Sequence, residues 1–425
     1  MRHFAVLRNL ALVVYLAWVA LHAQTIEAVP RRVMVDQSAS IRAAGLQPNE
    51  HITIRAELVD GNEARWTSHA DFVADEQGRI DTSKQPATGG SYKEVSAMGL
   101  VWSMMPSSSR TVRYRSPEDF GPQTIEFQLM RGHAQLSTAQ LEQVSQAAGV
   151  ERVTEMHGVL FVPPGGGRHP GVLVLGGSEG GLPSRRAAWL AGHGFAALAL
   201  AYFRYADLPQ ELAGIPLEYF GKAVNWMTQR PEIAPDRIAV MGTSRGGELA
   251  LQLGSMYPTF KAVVAYSPAD VRYPACCGLT SVPYAWTWHG NPLAYALLRR
   301  GGERDPETAL QGAIEVERTQ GPILLLSGNA DGIWESTGMA NAIVARLERH
   351  HFTYQVEHLS YPHAGHQAGH PEIVPAWVGE SRNPMSGRDR HPGGSPKGNF
   401  ESSLDAGPRV IAFLQRSLSA TRSSP

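Results

Sequence analysis

The chain's 425 residues exceed what one hydrophobic core usually fills, and a content of 43% hydrophobic and 18% charged residues fits two ordinary folded domains. With 38 Lys and Arg against 39 Asp and Glu, the formal net charge is −1, and no long run of one sign occurs. That balance excludes an electrostatic footprint for nucleic acid and a polybasic segment for a membrane surface, so neither is expected as a stable partner.

The N-terminus departs from this average. Arg2, His3 and Arg8 precede an apolar run at 10–21, and Ala23-Gln24 opens a polar stretch. That order marks a secretory signal, so 1–23 is expected to be a signal peptide and the protein to be exported, periplasmic or secreted. The run is too short to span a bilayer comfortably. Leu21, at position −3 to a cut after Ala23, departs from the A-x-A preference and leaves a membrane anchor at 10–21 as the alternative.

From about 29 to 160 the pattern has period two. Ile52, Ile54, Ala56 and Leu58 fall on one face of a strand, the turn Asp60-Gly61-Asn62 leads to a second strand-like run at 64–74, and another turn follows at 75–78. Helical periodicity is scarce until 137–148. Residues 24–160 therefore read as an all-β, immunoglobulin-like sandwich domain.

The register changes at Pro163-Pro164-Gly165-Gly166-Gly167. Beyond it, short apolar runs at 172–175, 195–201, 238–241, 262–266 and 323–326 alternate with helix-length amphipathic stretches at 184–191, 217–229, 246–256 and about 337–349. A strand at 353–359 and a final helix at 408–418 complete the series. Apolar strands alternating with helices predict a mostly parallel sheet covered on both faces, over 161–425. The stretch 379–400, rich in Gly, Pro, Arg and Ser, reads as a mobile loop. The only cysteines, Cys276 and Cys277, are adjacent; ordinary disulfide geometry favours two packed thiols, with a vicinal disulfide as the alternative.

Within this alternation, "RIAVMGTSRGGELAL" places Ser244 between Gly242 and Gly246, with a buried strand before it and a helix after it. That context predicts a nucleophile elbow, in which the serine projects above the sheet at a helix N-terminus. A hydroxyl needs a histidine to take its proton and a carboxylate to fix that histidine's tautomer, in the chain order Ser, Asp/Glu, His. Asp331 in "LLSGNADGIW" and His366 in "YPHAGHQ" each follow a strand and answer both demands. Asp270, in "AVVAYSPADV", is the competing acid. His363 and His370 flank His366, but Pro362, Gly365 and Gly369 argue against a helix that would gather all three around a metal, so they read as exposed loop histidines. Neither metal nor cofactor is required. The oxyanion hole calls for backbone N–H donors: Arg245, directly after the nucleophile, and Gly177 or Ser178 in the loop Gly176-Gly177-Ser178-Glu179-Gly180-Gly181. Arg185, Arg186 and Arg204 are candidates for binding an anionic substrate group, against surface or capping roles. Tyr202, Phe203 and Tyr205 are candidates for an acyl cleft, against a place in the core.

With these residues in view, the chain resembles the family of acyl-CoA thioesterases and bile acid-CoA:amino acid N-acyltransferases. "IRAAGLQPNEHITIRAEL", "WTSHADFVAD" and "MGLVWSM" are similar to that family's β-sandwich domain. "LGGSEGGLPSRRAAWLAGHGFAALALAYFRYADLP", "LEYFGKAVNWM", "GTSRGGELAL" and "YPHAGH" are similar to its α/β-hydrolase domain. The resemblance implies Ser244 as nucleophile, Asp331 as acid and His366 as base. Amidating members carry cysteine at the nucleophile and thioesterase members serine, so Ser244 implies hydrolysis of a small-molecule acyl thioester. An exported carboxylesterase and an N-acyltransferase are the alternatives.

Overall fold

A computed structural model describes residues 23–108, 114–117, 120–278, 281–297, 304–371, 375–376, 379, 381–382 and 389–419. Of the expected signal segment, residues 1–22, with the 10–21 run, lie outside the described residues. So do 380 and 383–388 of the 379–400 stretch.

Two sheets form the N-terminal part. Thr25–Val29, Ser40–Ala44 and Ile80–Asp81 make the smaller one; the larger runs Arg32–Met34, Ala134–Val144, Gln123–Arg131, His51–Val59, Arg65–Val73, Gly89–Gly90. Strict alternation along His51–Val59 sends Ile52, Ile54, Ala56 and Leu58 inward, where they meet Trp66, Phe72, Phe127 and Leu129. This is the sandwich the sequence calls for. Residues 137–148 are not a helix: Ala134–Val144 is a strand antiparallel to Gln123–Arg131. Ala139, Leu141 and Gln143 take its more buried positions, and because Gln143 is polar while the terminal Val144 is also buried, the apolar spacing imitates a helical period.

The second part is an α/β-hydrolase sheet. Its strands are β1 (Glu151–Glu155), β2 (Gly158–Val162), β3 (His169–Leu175), β4 (Ala196–Leu200), β5 (Ile233–Thr243), β6 (Phe260–Tyr266), β7 (Ile323–Gly328) and β8 (Val356–Tyr361), in the spatial order 1-2-4-3-5-6-7-8. Only β2 runs antiparallel to its neighbours β1 and β4; the pairs from β4 through β8 are parallel. The expected boundary at 160 falls inside the β2 strand. The β1–β2 hairpin is therefore the edge of the second sheet, and the sandwich ends before Glu151.

Helices α1 (Ser184–Gly192), α2 (Glu218–Gln229), α3 (Arg245–Met256), α4 (Pro306–Gly312), α5 (Ser336–Arg349) and α6 (Pro396–Ser417) follow in chain order. Helices α1 and α6 cover one face, against Val172, Val174, Ala239, Val264 and Leu324. On the other face α2, α3 and α5 pack against Leu173, Val240, Val263 and Leu325. Burial on both sides is why these strands read as unbroken apolar runs. Helix α6 begins twelve residues before the expected 408, capped by the Ser395 hydroxyl, which accepts from Gly398 N at 3.0 Å. Its early turns bury Gly398, Asn399, Ser402 and Ser403, polar or small residues that leave no hydropathy period, and Pro408 lies inside it. The last part of the 379–400 stretch is thus ordered secondary structure.

The two parts are pinned together at Asp36. Its carboxylate Oδ2 accepts from His193 Nε2 at the end of α1, at 2.8 Å, and its Cβ lies against Gly407 of α6. Burial pushes this carboxyl up, but the hydrogen bond and charge of His193 outweigh it and hold the group below the usual aspartate range. A depressed carboxyl contributes stability that is present at neutral pH and is lost as pH falls through its folded pKa. Asp36→Asn should cost about 1–3 kcal/mol at pH 7 and flatten the loss of stability below about pH 4, read from urea denaturation midpoints at the two pH values.

Candidate active site

Parallel strands deliver their C-terminal ends to one edge of the sheet, and the site is assembled there. At the end of β5 the chain reverses into α3 with Ser244 at φ 57°, ψ −121°, a backbone conformation that L residues rarely adopt. The flanking glycines permit it. A Cβ on Gly242 would stand 1.9 Å from the Gly246 carbonyl oxygen, and one on Gly246 would stand 2.2 Å from that of Gly176. Gly177 has its own constraint, since a Cβ there would meet the Thr243 oxygen at 3.1 Å and Ser244 Cβ at 3.3 Å. The glycine loop after β3 therefore passes directly over the elbow.

The three predicted site residues converge. Ser244 Oγ lies 2.9 Å from His366 Nε2, and His366 Nδ1 lies 2.8 and 3.0 Å from the two Asp331 oxygens. An ionised carboxylate only accepts, so Nδ1 carries the imidazole proton and Nε2 is left to accept from the Ser244 hydroxyl. Asp331 is further fixed by the N–H groups of Ile333 and Trp334, which donate to Oδ1 at 2.9 and 3.2 Å. Its side chain is 2% exposed and that of His366 is 13% exposed. Asp270 does not join this group: its carboxylate pairs with Arg304, and burial pushes it up.

Several residues that hold the base carry no motif. The His366 backbone N–H donates to the Pro392 carbonyl at 2.7 Å, and the same oxygen accepts from Gly332 N at 3.1 Å, tying the base loop to the acid loop. Ser267, just past β6, donates its hydroxyl to the His366 carbonyl at 2.6 Å. The Trp334 ring stands edge-on to His366 at 5.6 Å and stacks on Tyr273 at 5.2 Å.

The flanking histidines divide. His363 is exposed, but His370 is buried against the Tyr266 ring, and desolvation with the nearby Arg186 charge holds it well below the usual histidine range. Its place under the site, not in an exposed loop, follows from the positive φ of Gly369, which turns the chain inward. The arginines are structural. Arg186 lies 4.5 Å over the Tyr266 ring and donates to the Thr243 hydroxyl, Arg185 donates to Ser145, and Arg204 donates to the Cys277 carbonyl. Tyr202 and Phe203 are core residues, and the Tyr202 hydroxyl donates to the Gly176 carbonyl at 2.5 Å. Cys276 and Cys277, expected as packed thiols, are joined to each other; a φ of 78° at Cys277 turns the second sulfur onto the first.

Residues 36–157 match the acyl-CoA thioester hydrolase/BAAT N-terminal region, and 215–277 with 295–420 match the BAAT/acyl-CoA thioester hydrolase C-terminal region. The chain belongs to the acyl-CoA thioester hydrolase/BAAT family. It is 33% identical over 407 residues to mouse acyl-coenzyme A thioesterase 6, with 91% of this chain and 95% of the relative covered. Rat acyl-coenzyme A thioesterase 1 is also 33% identical over 403 residues, covering 90% and 94%. Rat mitochondrial acyl-coenzyme A thioesterase 2 is 33% identical over 410 residues, covering 90% and 87%. Membership thus extends over both the sandwich and the hydrolase sheet.

The crowding at the elbow is open to test in this family member. Gly246→Ala should cost about 1–3 kcal/mol or more, because its Cβ has only backbone to displace, and should abolish turnover with it. A melting temperature and activity equal to those of the parent would contradict the geometry.

Proposed function

We propose that this protein hydrolyses acyl thioesters of the acyl-CoA type through a Ser244-His366-Asp331 triad and an acyl-enzyme intermediate. The observation that carries the reading is the continuous hydrogen-bonded line from Ser244 Oγ through the His366 ring to Asp331. Family membership and relatives named as acyl-CoA thioesterases support the substrate class.

In the first half-reaction Ser244 Oγ attacks the acyl carbonyl carbon while its proton passes to His366 Nε2. Asp331, accepting from Nδ1–H, stabilises the imidazolium. Negative charge develops on the acyl oxygen, and in this reading two kinds of N–H receive it. Arg245 heads helix α3, whose first N–H groups have no intrahelical partner, and Gly177 or Ser178 lies in the glycine loop that crosses the elbow. Collapse breaks the carbon–sulfur bond, and the leaving sulfur takes the proton from His366, so the thiol departs. Water then attacks the Ser244 ester, giving its proton to His366; the acid leaves as Ser244 recovers its hydrogen.

The leader pattern at 1–23 supports an exported enzyme and, with it, a second reading as a carboxylesterase on another acyl ester. One assay separates these. Thiol release and acid formation are followed on a medium-to-long acyl-CoA, with and without glycine or taurine, beside an aryl ester. Free acid as the sole acyl product is expected. An amide product would establish a transferase, and turnover of the ester alone would establish the esterase.

Ser244→Ala and His366→Ala should each lower kcat by about 10⁶-fold with the fold intact. Asp331→Asn should lower it by about 10⁴-fold by spoiling the imidazole tautomer. Asp270→Asn should leave kcat within a few-fold of the parent; the reverse ranking of the two aspartates would overturn the assignment of the acid.

A further inference from the structure

Directly after β6 stands Ser267, buried with 0% of its surface exposed and held at φ 43°. Left-handed backbone is costly for a residue with a Cβ and free for glycine, so a serine persists there only where the surrounding structure holds it.

The turn that contains it meets all three arms of the site. The Tyr266 carbonyl, one peptide earlier, accepts from the Ser244 N–H at 2.8 Å. The Ser267 N–H donates to the Leu326 carbonyl at 2.7 Å, on the strand β7 that leads to Asp331. The Ser267 hydroxyl donates to the His366 carbonyl at 2.6 Å. Nucleophile, acid strand and base are thus bonded to two consecutive residues.

We propose that Ser267 is a positioning residue whose hydroxyl sets the separation of the Ser244 hydroxyl and the His366 ring. The proposal rests on the triad reading and adds to it the side chain that gauges its Ser–His arm.

Two arguments carry it. The first is what glycine would do at this position. Two of the three bonds run through backbone and would survive in glycine, which would also remove the cost of the positive φ. The bond that serine adds is the one to the base. The second argument is leverage. The His366 N–H donates to the Pro392 carbonyl at 2.7 Å, so the Ser267 hydroxyl holds the other end of the same residue. With both ends fixed, the ring keeps only its side-chain torsions, and Asp331 orients those. Pro392 ties the base to the acid loop, whereas Ser267 ties it to the peptide that receives the nucleophile's own N–H. That peptide ends β6, which lies between β5 and β7 in the sheet and is fixed by it. Proton transfer needs Oγ and Nε2 within hydrogen-bond reach, and a misplacement of about 1 Å can cost about 10²-fold in rate.

The experiment compares Ser267→Gly and Ser267→Ala with the parent, all as full chains. Both variants lose the hydroxyl, but only alanine keeps the cost of the positive φ. The melting temperature should therefore be higher for Ser267→Gly than for Ser267→Ala, while kcat on acyl-CoA falls about 10- to 100-fold in both and KM stays within a few-fold of the parent. The same loss should appear in the rate at which a fluorophosphonate labels Ser244. In that reaction Oγ displaces fluoride from phosphorus as its proton passes to His366, and no thioester is needed. Labelling and kcat at parent rates in Ser267→Gly, or activity that follows melting temperature across the two variants, overturns the inference and leaves the triad reading standing. A Ser267→Gly variant that does not fold makes the hydroxyl a fold determinant and likewise overturns it. Slowed labelling of both variants, in a protein that does not turn over acyl-CoA, supports the inference and overturns the thioesterase reading. A folded parent whose Ser244 is not labelled overturns the triad, and the inference with it.

Discussion

Close contact between backbones at the end of β5 is the constraint on which this site depends. Ser244 reaches above the sheet only because the chain reverses within one residue, and that reversal leaves no room for a Cβ on Gly242 or Gly246. The same compression brings Gly177 against Ser244, directly before the first turn of α3. A serine in an ordinary turn would have none of these neighbours. The unfavourable φ of Ser244 is tolerated because a five-strand parallel core, buried on both faces, fixes the ends of β3 and β5 independently of the turn between β5 and α3.

A second layer holds the histidine. The Pro392 carbonyl accepts from both His366 and Gly332, so one backbone oxygen fixes the spacing between base loop and acid loop. That carbonyl belongs to the run just before α6, and α6 is anchored on the sandwich: Lys397 pairs with Glu94, and Phe400 packs against the sandwich core. The N-terminal domain is therefore connected through α6 to the run that holds His366 and the Asp331 loop. This gives a physical reason for its presence in a hydrolase whose proposed triad lies wholly in the other part.

The parts of this arrangement that were legible in the sequence share one property: each is a local pattern. Ser244 was marked by two glycines between a strand and a helix, and Asp331 and His366 by strand ends whose parallel direction brings them to one edge. Alternation along residues 51–58 marked the sandwich. What escaped depends on contacts between distant segments. The Pro392 clasp involves a carbonyl, which every residue has, in a stretch whose Gly, Pro and Ser content imitates a mobile loop. The start of α6 was hidden because its buried residues are small or polar, and the β1–β2 hairpin was assigned to the wrong domain because alternation describes an edge strand of either sheet. His370 and Arg186 were misread for a related reason: both are buried against the ring of Tyr266, His370 edge-on and Arg186 over its face, and no spacing in the chain announces that meeting.

Arg245 joins these levels. Its backbone heads α3 next to the nucleophile, while its side chain turns into the protein, forming a buried pair with Glu248 at 2.9 Å and donating to the carbonyls of Pro274 and Tyr273 at 2.8 and 3.1 Å. Desolvation pushes the Glu248 carboxyl up, against the pull of Arg245, so the pair is a poor source of net stability. Its effect is geometric. The elbow is bonded to the 270–277 segment at Tyr273 and Pro274, and Arg204 holds the same segment at the Cys277 carbonyl beside the vicinal disulfide. Fixing it to the elbow couples the turn at Ser244 to the aromatic wall beside His366, because Tyr273 of that segment stacks on the Trp334 that stands edge-on to the imidazole.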